Sequence, residues 1–241
     1  MRGLTVSIRR VLLFLFAACS GFSRAGEHDV SNAAKDLLDM PAPPQGDAWW
    51  ISKNMRMNGL PMTLKNFRSR LSLDEVCDYY RSSARALTTN EVLRRRSGDW
   101  SVISIRTRRN LITIQVRPTL LGSEGTIAVS PPPDTIHVHV ETAFPRPATA
   151  AVINLQEYDD EGMEAEHISL RSARSVGVEA YAFVEKLTRS GWQITLREPM
   201  QIVSGGQVVE AQKGAQHALL SLMPDKARPG NTSIIIVWKK S

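Results

Sequence analysis

Cysteine is nearly absent from this chain, which has two cysteines among 241 residues. Cys19 lies in an apolar N-terminal segment, so Cys77 has no partner for an intrachain disulfide. A chain of this length can bury a core without one. Cys77 falls in a helix-like stretch, where a free thiol is usually a small buried hydrophobic side chain. The sequence therefore predicts neither a disulfide framework nor a reactive thiol.

Recognisable catalytic and cofactor-binding motifs are also missing. The chain has no phosphate-binding glycine loop, no dinucleotide fingerprint and no zinc-protease motif. The segment "GSEG" at 122–125 lacks the spacing of a nucleophile elbow. We therefore predict that the protein is not an enzyme and that it needs no cofactor.

Long apolar runs are absent apart from one, Val11–Ala18, which three arginines precede and small residues follow. This pattern predicts a secretory signal peptide, residues 1–25, cleaved after Ala25. A second interpretation is lipidation at Cys19, because "FAACS" resembles a lipoprotein cleavage box. We therefore expect an exported protein, located in the periplasm or held at the envelope by a lipid on Cys19.

The chain has little net charge once the signal peptide is removed. The full chain carries +6, but the signal peptide contributes four arginines and no acid, which leaves +2. This small excess argues against a nucleic-acid partner. Charge is nevertheless unevenly distributed, with −4 in 26–50, +8 in 51–130, −7 in 131–166 and +5 in 167–241. The exposed charges of the basic and acidic segments are thus able to complement each other.

An internal repeat organises the rest of the sequence. The segments "NGLPMTLKNFRSRLS" (58–72) and "EGMEAEHISLRSARS" (161–175) align without a gap at an offset of 103 residues. The alignment matches Gly59 with Gly162 and Arg68 with Arg171. A period this long indicates a duplicated domain and not a solenoid.

Each copy shows the same succession of elements. A turn at Asn58-Gly59 separates two strand-like runs, and Ser72 with Glu75 forms a capping box ahead of an amphipathic helix. We therefore predict an α+β fold of two tandem β-β-α-β-β-β modules, each an antiparallel sheet with one helix packed on a face. The predicted boundaries are a leader or tether at 26–47, module 1 at 48–130, a connector at 131–148 and module 2 at 149–241.

The connector contains the clearest metal-like pattern, "TIHVHVET" (135–142). His137, His139 and Glu141 alternate, so on a strand all three side chains would share one face. Two imidazoles and a carboxylate in this arrangement are able to bind Zn²⁺ or Cu²⁺. The intervening residues form a clean apolar face, which favours an ordinary half-buried strand. We therefore predict no metal and keep these three residues as weak candidates.

Two groups of arginines are the remaining candidate site residues. The first is a weak candidate for binding a partner or an anion, and it consists of Arg94, Arg95, Arg96, Arg106, Arg108 and Arg109. The second is the repeat-equivalent pair Arg68 and Arg171, at a corner between strand and helix. We expect this pair to be structural, capping carbonyl groups or pairing with Glu75 and Glu179.

This organisation is similar to that of accessory proteins of bacterial envelope machineries, such as secretion systems or pili. The resemblance implies a non-enzymatic protein that binds another envelope protein, or its own copies, through a sheet face or edge. One alternative is an envelope hydrolase or metal-dependent enzyme with its site between the modules. Another is a binder of anionic lipid or glycan that uses the Arg94–Arg109 region.

Overall fold

The computed structural model describes residues 37–88, 92–132, 140–160 and 163–240, and they form one continuous antiparallel sheet of twelve strands. The strand order is β3-β4-β5-β6-β2-β1-β7-β8-β12-β11-β10-β9. The predicted α+β fold of two tandem β-β-α-β-β-β modules is therefore wrong. The described residues form a largely β structure with a single sheet and two short helices.

The first half of the sheet comprises β1 (Gly46–Met57), β2 (Leu60–Ser69), β3 (Leu93–Ser97), β4 (Trp100–Arg106), β5 (Leu111–Thr119) and β6 (Gly122–Ser130). The second half comprises β7 (Ala151–Asp160), β8 (Met163–Ser172), β9 (Gln193–Pro199), β10 (Gln207–Lys213), β11 (Gln216–Pro224) and β12 (Thr232–Lys239). Helix α1 (Leu73–Arg85) follows β2, and α2 (Val176–Arg189) follows β8.

Two physical reasons explain the incorrect fold prediction. The first is β3, whose sequence "LRRRS" has no apolar alternation and whose five residues are all exposed. It pairs with β4 through backbone hydrogen bonds, which do not require alternating apolar side chains. The sequence of β3 therefore shows no strand pattern. The second is the pairing of β1 with β7, which joins the halves through residues about 100 positions apart. A contact between residues this far apart leaves no pattern in the sequence around either residue.

The N-terminus of α1 follows the sequence prediction closely. The Ser72 hydroxyl accepts a hydrogen bond from the Glu75 backbone N–H, and the Glu75 carboxylate accepts from the Ser72 backbone N–H. This capping box satisfies two backbone donors that a helix start would otherwise leave open. Hydrogen bonds from Ser72 also lower the pKa of Glu75. The capping box was correctly predicted from the sequence.

Both helices pack on the same face of the sheet, here called the helix face. Helix α1 covers β4, β5 and β6, where Val76, Cys77 and Tyr80 meet the buried isoleucines of those strands. Helix α2 covers β9, β10 and β11 in the same way. The opposite face, here called the open face, carries no helix in the described part of the chain.

Non-helical segments complete the helix face in each half. Before β1, Met40 is buried in the first core, and the Tyr80 hydroxyl donates to the Pro41 carbonyl at 3.1 Å. Before β7, Phe144 packs edge-on against Trp192 and Trp238 in the second core. Each half thus has its own core, covered by one helix and by the segment that precedes its first strand.

The two halves meet along a short seam between β1 and β7. Only Met55–Met57 of β1 pair with Gln156–Tyr158 of β7. Asn58 extends the seam, because its backbone N–H donates to the Leu155 carbonyl at 2.7 Å and its side-chain Oδ1 accepts from the Leu155 N–H at 2.8 Å. The methionine-rich cluster of Met55, Met57 and Met62 packs beside the seam.

We expect two substitutions of Asn58 to differ in their effect on stability. Asn58 has a left-handed backbone with φ of 50°, which glycine tolerates and alanine does not. Asn58→Gly removes only the side-chain bond to Leu155, so it should cost about 1 kcal/mol. Asn58→Ala adds backbone strain and should cost about 2 kcal/mol. Urea unfolding measures both, and equal losses would show that the backbone conformation does not matter.

The seam also predicts a pH-dependent gain from changing Glu157, which lies opposite Arg56 across it. Burial and then nearby Glu166 raise the pKa of Glu157 above its ordinary 4.5, despite Arg56 and Lys240. A raised carboxyl pKa means that the folded state holds the proton more tightly, so stability is lost as pH rises through the folded pKa. Glu157→Gln should therefore raise Tm near pH 7, and the gain should shrink as pH falls through the raised pKa and be lost below 4.5.

A matched control is Glu198→Gln, because Glu198 is exposed on the edge strand β9. Its Tm should change little at any pH, since an exposed carboxylate keeps its hydration. A gain from Glu157→Gln that persists below the carboxyl range would contradict the electrostatic explanation.

Candidate partner-binding surface

Several of the candidate residues lie outside the part of the chain that the structure describes. They are Cys19, His137 and His139. Glu141 is described, and it is exposed in a non-strand segment. Among the described residues, no group of three or more histidine, cysteine or carboxylate side chains is arranged to hold a metal ion. No described helix is long and apolar enough to cross a bilayer.

The six arginines of the basic cluster are spread along β3, β4 and the turn that follows. Arg94, Arg95 and Arg96 form the middle of edge strand β3, with Arg94 opposite Ile103 and Arg96 opposite Ser101. Arg106 ends β4, and Arg108 and Arg109 lie in the β4–β5 turn. The structure thus distributes these side chains over the length of β4.

Arg94 contributes to the structure of the first core, and its environment also explains Cys77. The Arg94 guanidinium donates to the Asp74 carboxylate and to the Ser101 hydroxyl, each at 2.8 Å. The hydrogen bond to Asp74 raises the pKa of Arg94. Ser101 also contacts the Cys77 Sγ at 3.7 Å, and burial raises the pKa of that thiol. A buried thiol with a raised pKa is a poor nucleophile.

The repeat-equivalent corner arginines pair with carboxylates on the neighbouring hairpins, not with Glu75 and Glu179. Arg68 lies 3.7 Å from the Glu124 carboxylate, and Arg171 lies 3.2 Å from the Asp225 carboxylate. Glu75 instead caps α1. Glu179 is fully buried and accepts hydrogen bonds from the hydroxyls of Ser172 and Thr149.

The environments of the two corner arginines differ in exposure. The Arg68 side chain is 68% exposed and its partner Glu124 is 20% exposed. The Arg171 side chain is 35% exposed and Asp225 only 9%. The buried Nε of Arg171 contacts Asp225 as an ion pair without hydrogen-bond geometry. The second-half pair is therefore structural, whereas the first-half arginine faces solvent.

Around Arg68, side chains from five neighbouring strands form a ladder on the open face. In order from β4 to β1 they are Trp100, Arg117, Glu124, Arg68 and Trp49. Glu124 accepts from the Arg117 Nε at 2.9 Å and also contacts Arg68. The Arg117 guanidinium lies 4.8 Å from the Trp100 ring and that of Arg68 lies 5.7 Å from the Trp49 ring. Two arginines thus share one carboxylate, and each also faces an indole.

The β5–β6 hairpin ends in two leucines next to this ladder. Thr119 pairs with Gly122, so Leu120 and Leu121 form the two-residue turn, and they are 103% and 86% exposed. Exposed leucines are unusual in such a turn, which normally contains glycine, asparagine or aspartate. We call Leu120 and Leu121 the dileucine tip.

The dileucine tip stands on a rigid base. The Ser123 hydroxyl donates to the Leu71 carbonyl at 2.8 Å, and the Ser69 hydroxyl donates to the Pro44 carbonyl at 2.8 Å. Gly122 has a φ of 135°, and a Cβ at this position would lie 2.2 Å from the Ser69 carbonyl oxygen. The turn is therefore held against the corner between β2 and α1.

Two open depressions flank the dileucine tip, each with a volume of about 490 Å³. The first lies beside Arg96, Asp99 and Arg117. The second runs from the start of β1 to the tip and includes Asp47 and Arg68. Exposed tryptophan and arginine around concave surfaces are typical of protein-binding hot spots, and exposed leucines add to the apolar surface that a partner would cover. We call the ladder, the dileucine tip and these depressions the tip surface.

The sequence analysis identified two members of the tip surface, Arg68 and Arg96, and missed the rest. The available signal was the pair Leu120-Leu121 directly before Gly122, where a turn residue is expected. The second half has no equivalent, because its last hairpin turns through the polar segment 225–231. No protein-family model matches the chain, and no curated protein or solved structure shows significant similarity to it.

We expect the two corner arginines to differ when each is replaced by alanine. Arg171→Ala leaves the nearly buried Asp225 without its cation and should cost about 2 kcal/mol in unfolding free energy. Arg68→Ala should cost about 0.5 kcal/mol or less, because Arg68 is exposed and Glu124 keeps Arg117. Chemical denaturation of both variants measures the difference. Equal losses of unfolding free energy in the two variants would contradict the conclusion that only Arg171, in the second half, has a structural role.

Proposed function

We propose that the protein is an exported, non-enzymatic component of the cell envelope that binds another protein. Its N-terminal sequence supports export, with residues 1–25 as a signal peptide or Cys19 as a lipidation site. The tip surface supports protein binding. The observation that carries the proposal is the dileucine tip, because two fully accessible leucines on a rigid hairpin gain free energy only when something covers them.

The composition of the tip surface favours a protein partner over a lipid. Arg68, Arg70, Arg96 and Arg117 are interleaved with Asp47, Asp99 and Glu124, so the surface has a net charge of only +1. An anionic membrane attracts surfaces with a clear positive excess. Mixed charges around aromatic and aliphatic side chains instead match the rim and centre of a protein interface.

The role of a binding accessory also agrees with the internal asymmetry of the sheet. The second half carries the same arrangement of strands and helix, but its equivalent arginine is in a nearly buried ion pair and its hairpin is polar. The apolar turn is therefore not required by the strand topology. We interpret it as an addition that serves binding.

The test is photo-crosslinking in cells that produce the protein naturally. A photoreactive amino acid replaces Arg70, which is exposed at the edge of the tip surface. We expect one discrete protein adduct, and we expect Leu120→Ser with Leu121→Ser to reduce its yield at least about tenfold, a loss of about 1.4 kcal/mol in binding. Purification and mass spectrometry then identify the adduct.

The matched control is Ile202→Ser, which removes a similarly exposed aliphatic side chain from a loop of the second half. It should leave the adduct unchanged. Both variants should fold normally, because exposed substitutions change stability by about 0.5 kcal/mol or less. An adduct that survives the double substitution, or an adduct with lipid alone, would refute the proposed protein-binding function.

A further inference from the structure

The seam leaves part of β1 without a strand on its outer side. All of β1 runs beside β2, but only Met55–Met57 pair with β7. Within the described chain, no strand pairs with the outer edge of β1 from Gly46 to Ser52. Alternate backbone N–H and C=O groups of this stretch point away from β2, as they do in any edge strand. We call this edge the β1 notch.

The β1 notch differs from the two outer edges of the sheet. The edge strand β3 carries three consecutive arginines, and the edge strand β9 ends in Pro199. Charge and proline are two of the devices that prevent edge strands from pairing with other chains. In the β1 notch the only charged residue is Asp47, and Trp49 and Ile51 are 42% and 37% exposed. The notch therefore lacks the protection that the outer edges have.

Regular pairing with β2 prepares five residues of the notch to receive another strand. From Gly46 to Trp50 the register with β2 is unbroken, and the first irregularity follows between Trp50 and Ser52. Five extended residues span about 17 Å, the length of an average strand. The irregularity leaves Ile51 outside the ladder with β2, which marks the end of the regular stretch.

Side chains beside the notch define the chemistry of its occupant. Trp49 lies on the open face next to the Arg68 guanidinium, and Trp50 lies on the helix face under the Lys65 ammonium at 4.0 Å. Arg68 shares Glu124 with Arg117, and Asp47 of the notch lies directly opposite Arg68 in the register with β2, so the charges of these side chains are balanced. A strand in the notch is therefore favoured by an apolar side chain against Trp49.

We propose that an extended segment of the partner protein adds to β1 at the notch as a thirteenth strand and carries an apolar side chain for Trp49. This inference rests on the proposed function, because the notch opens onto the tip surface at Gly46 and Asp47. Backbone hydrogen bonds would supply affinity, and the apolar side chain would supply selectivity.

The experiment uses peptides selected from a random twelve-residue phage library against the chain as isolated from expressing cells. The best peptide is synthesised with single N-methyl groups along its backbone. In strand addition only alternate peptide N–H groups donate to β1, so methylation at one set of positions should weaken binding about tenfold or more each, and at the other set less than about twofold. Hydrogen exchange should show new protection at alternate amides of Gly46–Ser52.

Protein variants supply the second readout. Trp49→Ala should weaken the peptide about fivefold or more, because it removes the ring that the apolar side chain contacts. Tyr181→Ala removes a more exposed aromatic ring, 63% against 42% for Trp49, from α2 and should have no effect. The proposal would be overturned if N-methylation weakened binding equally at successive peptide positions. It would also be overturned if the new hydrogen-exchange protection lay only in strands other than β1.

The two proposals fail in different ways. A protein adduct from the tip surface together with absent or non-alternating peptide binding would reject strand addition and leave the protein-binding function intact. An absent adduct would reject the proposed function itself, and strand addition with it.

Discussion

The antiparallel pairing of β1 with β7 determines the architecture of the molecule. Three residue pairs and the reciprocal bonds of Asn58 with Leu155 turn two six-stranded sheets into one sheet of twelve strands. The pairing has three residue pairs, fewer than any other strand pair in the sheet. Because it covers only Met55–Met57 of β1, it fixes the two halves with an offset along the strand direction.

That offset has opposite consequences for the two edges of β1. On the side of β2, β1 pairs without interruption from Gly46 to Trp50, and two register irregularities follow before Met55. On the side of β7, the same strand leaves Gly46–Ser52 without a partner among the described residues. An edge inside a sheet is more rigid than an edge at its margin, because the strands on one side and the seam at its end hold it in place. A rigid edge loses less conformational entropy on binding, which is the general advantage of preorganisation.

Local elements of this fold were predictable from the sequence, whereas the assembly of the sheet was not. The Asn58-Gly59 turn and the Ser72–Glu75 capping box depend on neighbouring residues, and the structure shows both as expected. Strand β3 escaped prediction because all five of its residues are exposed and show no apolar alternation. The seam escaped because strand pairing between distant residues leaves no periodic pattern in either strand.

The candidate site was predictable to a similarly limited extent. Arg68 was identified through its match with Arg171, but the sequence alone assigned both to the same structural role. Their carboxylate partners come from β6 and from the segment after β11, so neither ion pair follows from the sequence near the arginine. The exposure of Leu120 and Leu121 likewise depends on the hairpin register of β5 with β6. Exposure and pairing are properties of the assembled sheet, and they are the properties that distinguish the corner of the first half from that of the second.

The contrast between the two corners explains why binding chemistry would concentrate in the first half. In the second half, Arg171 is held by the nearly buried Asp225, so any substitution there is opposed by the loss of a structural ion pair. In the first half, Glu124 retains Arg117 whatever happens to Arg68, and the turn at Leu120 and Leu121 contributes no buried area to the core. These positions are therefore free of the stability constraint that fixes their counterparts. Only such positions can acquire exposed apolar and cationic side chains without unfolding the sheet that presents them.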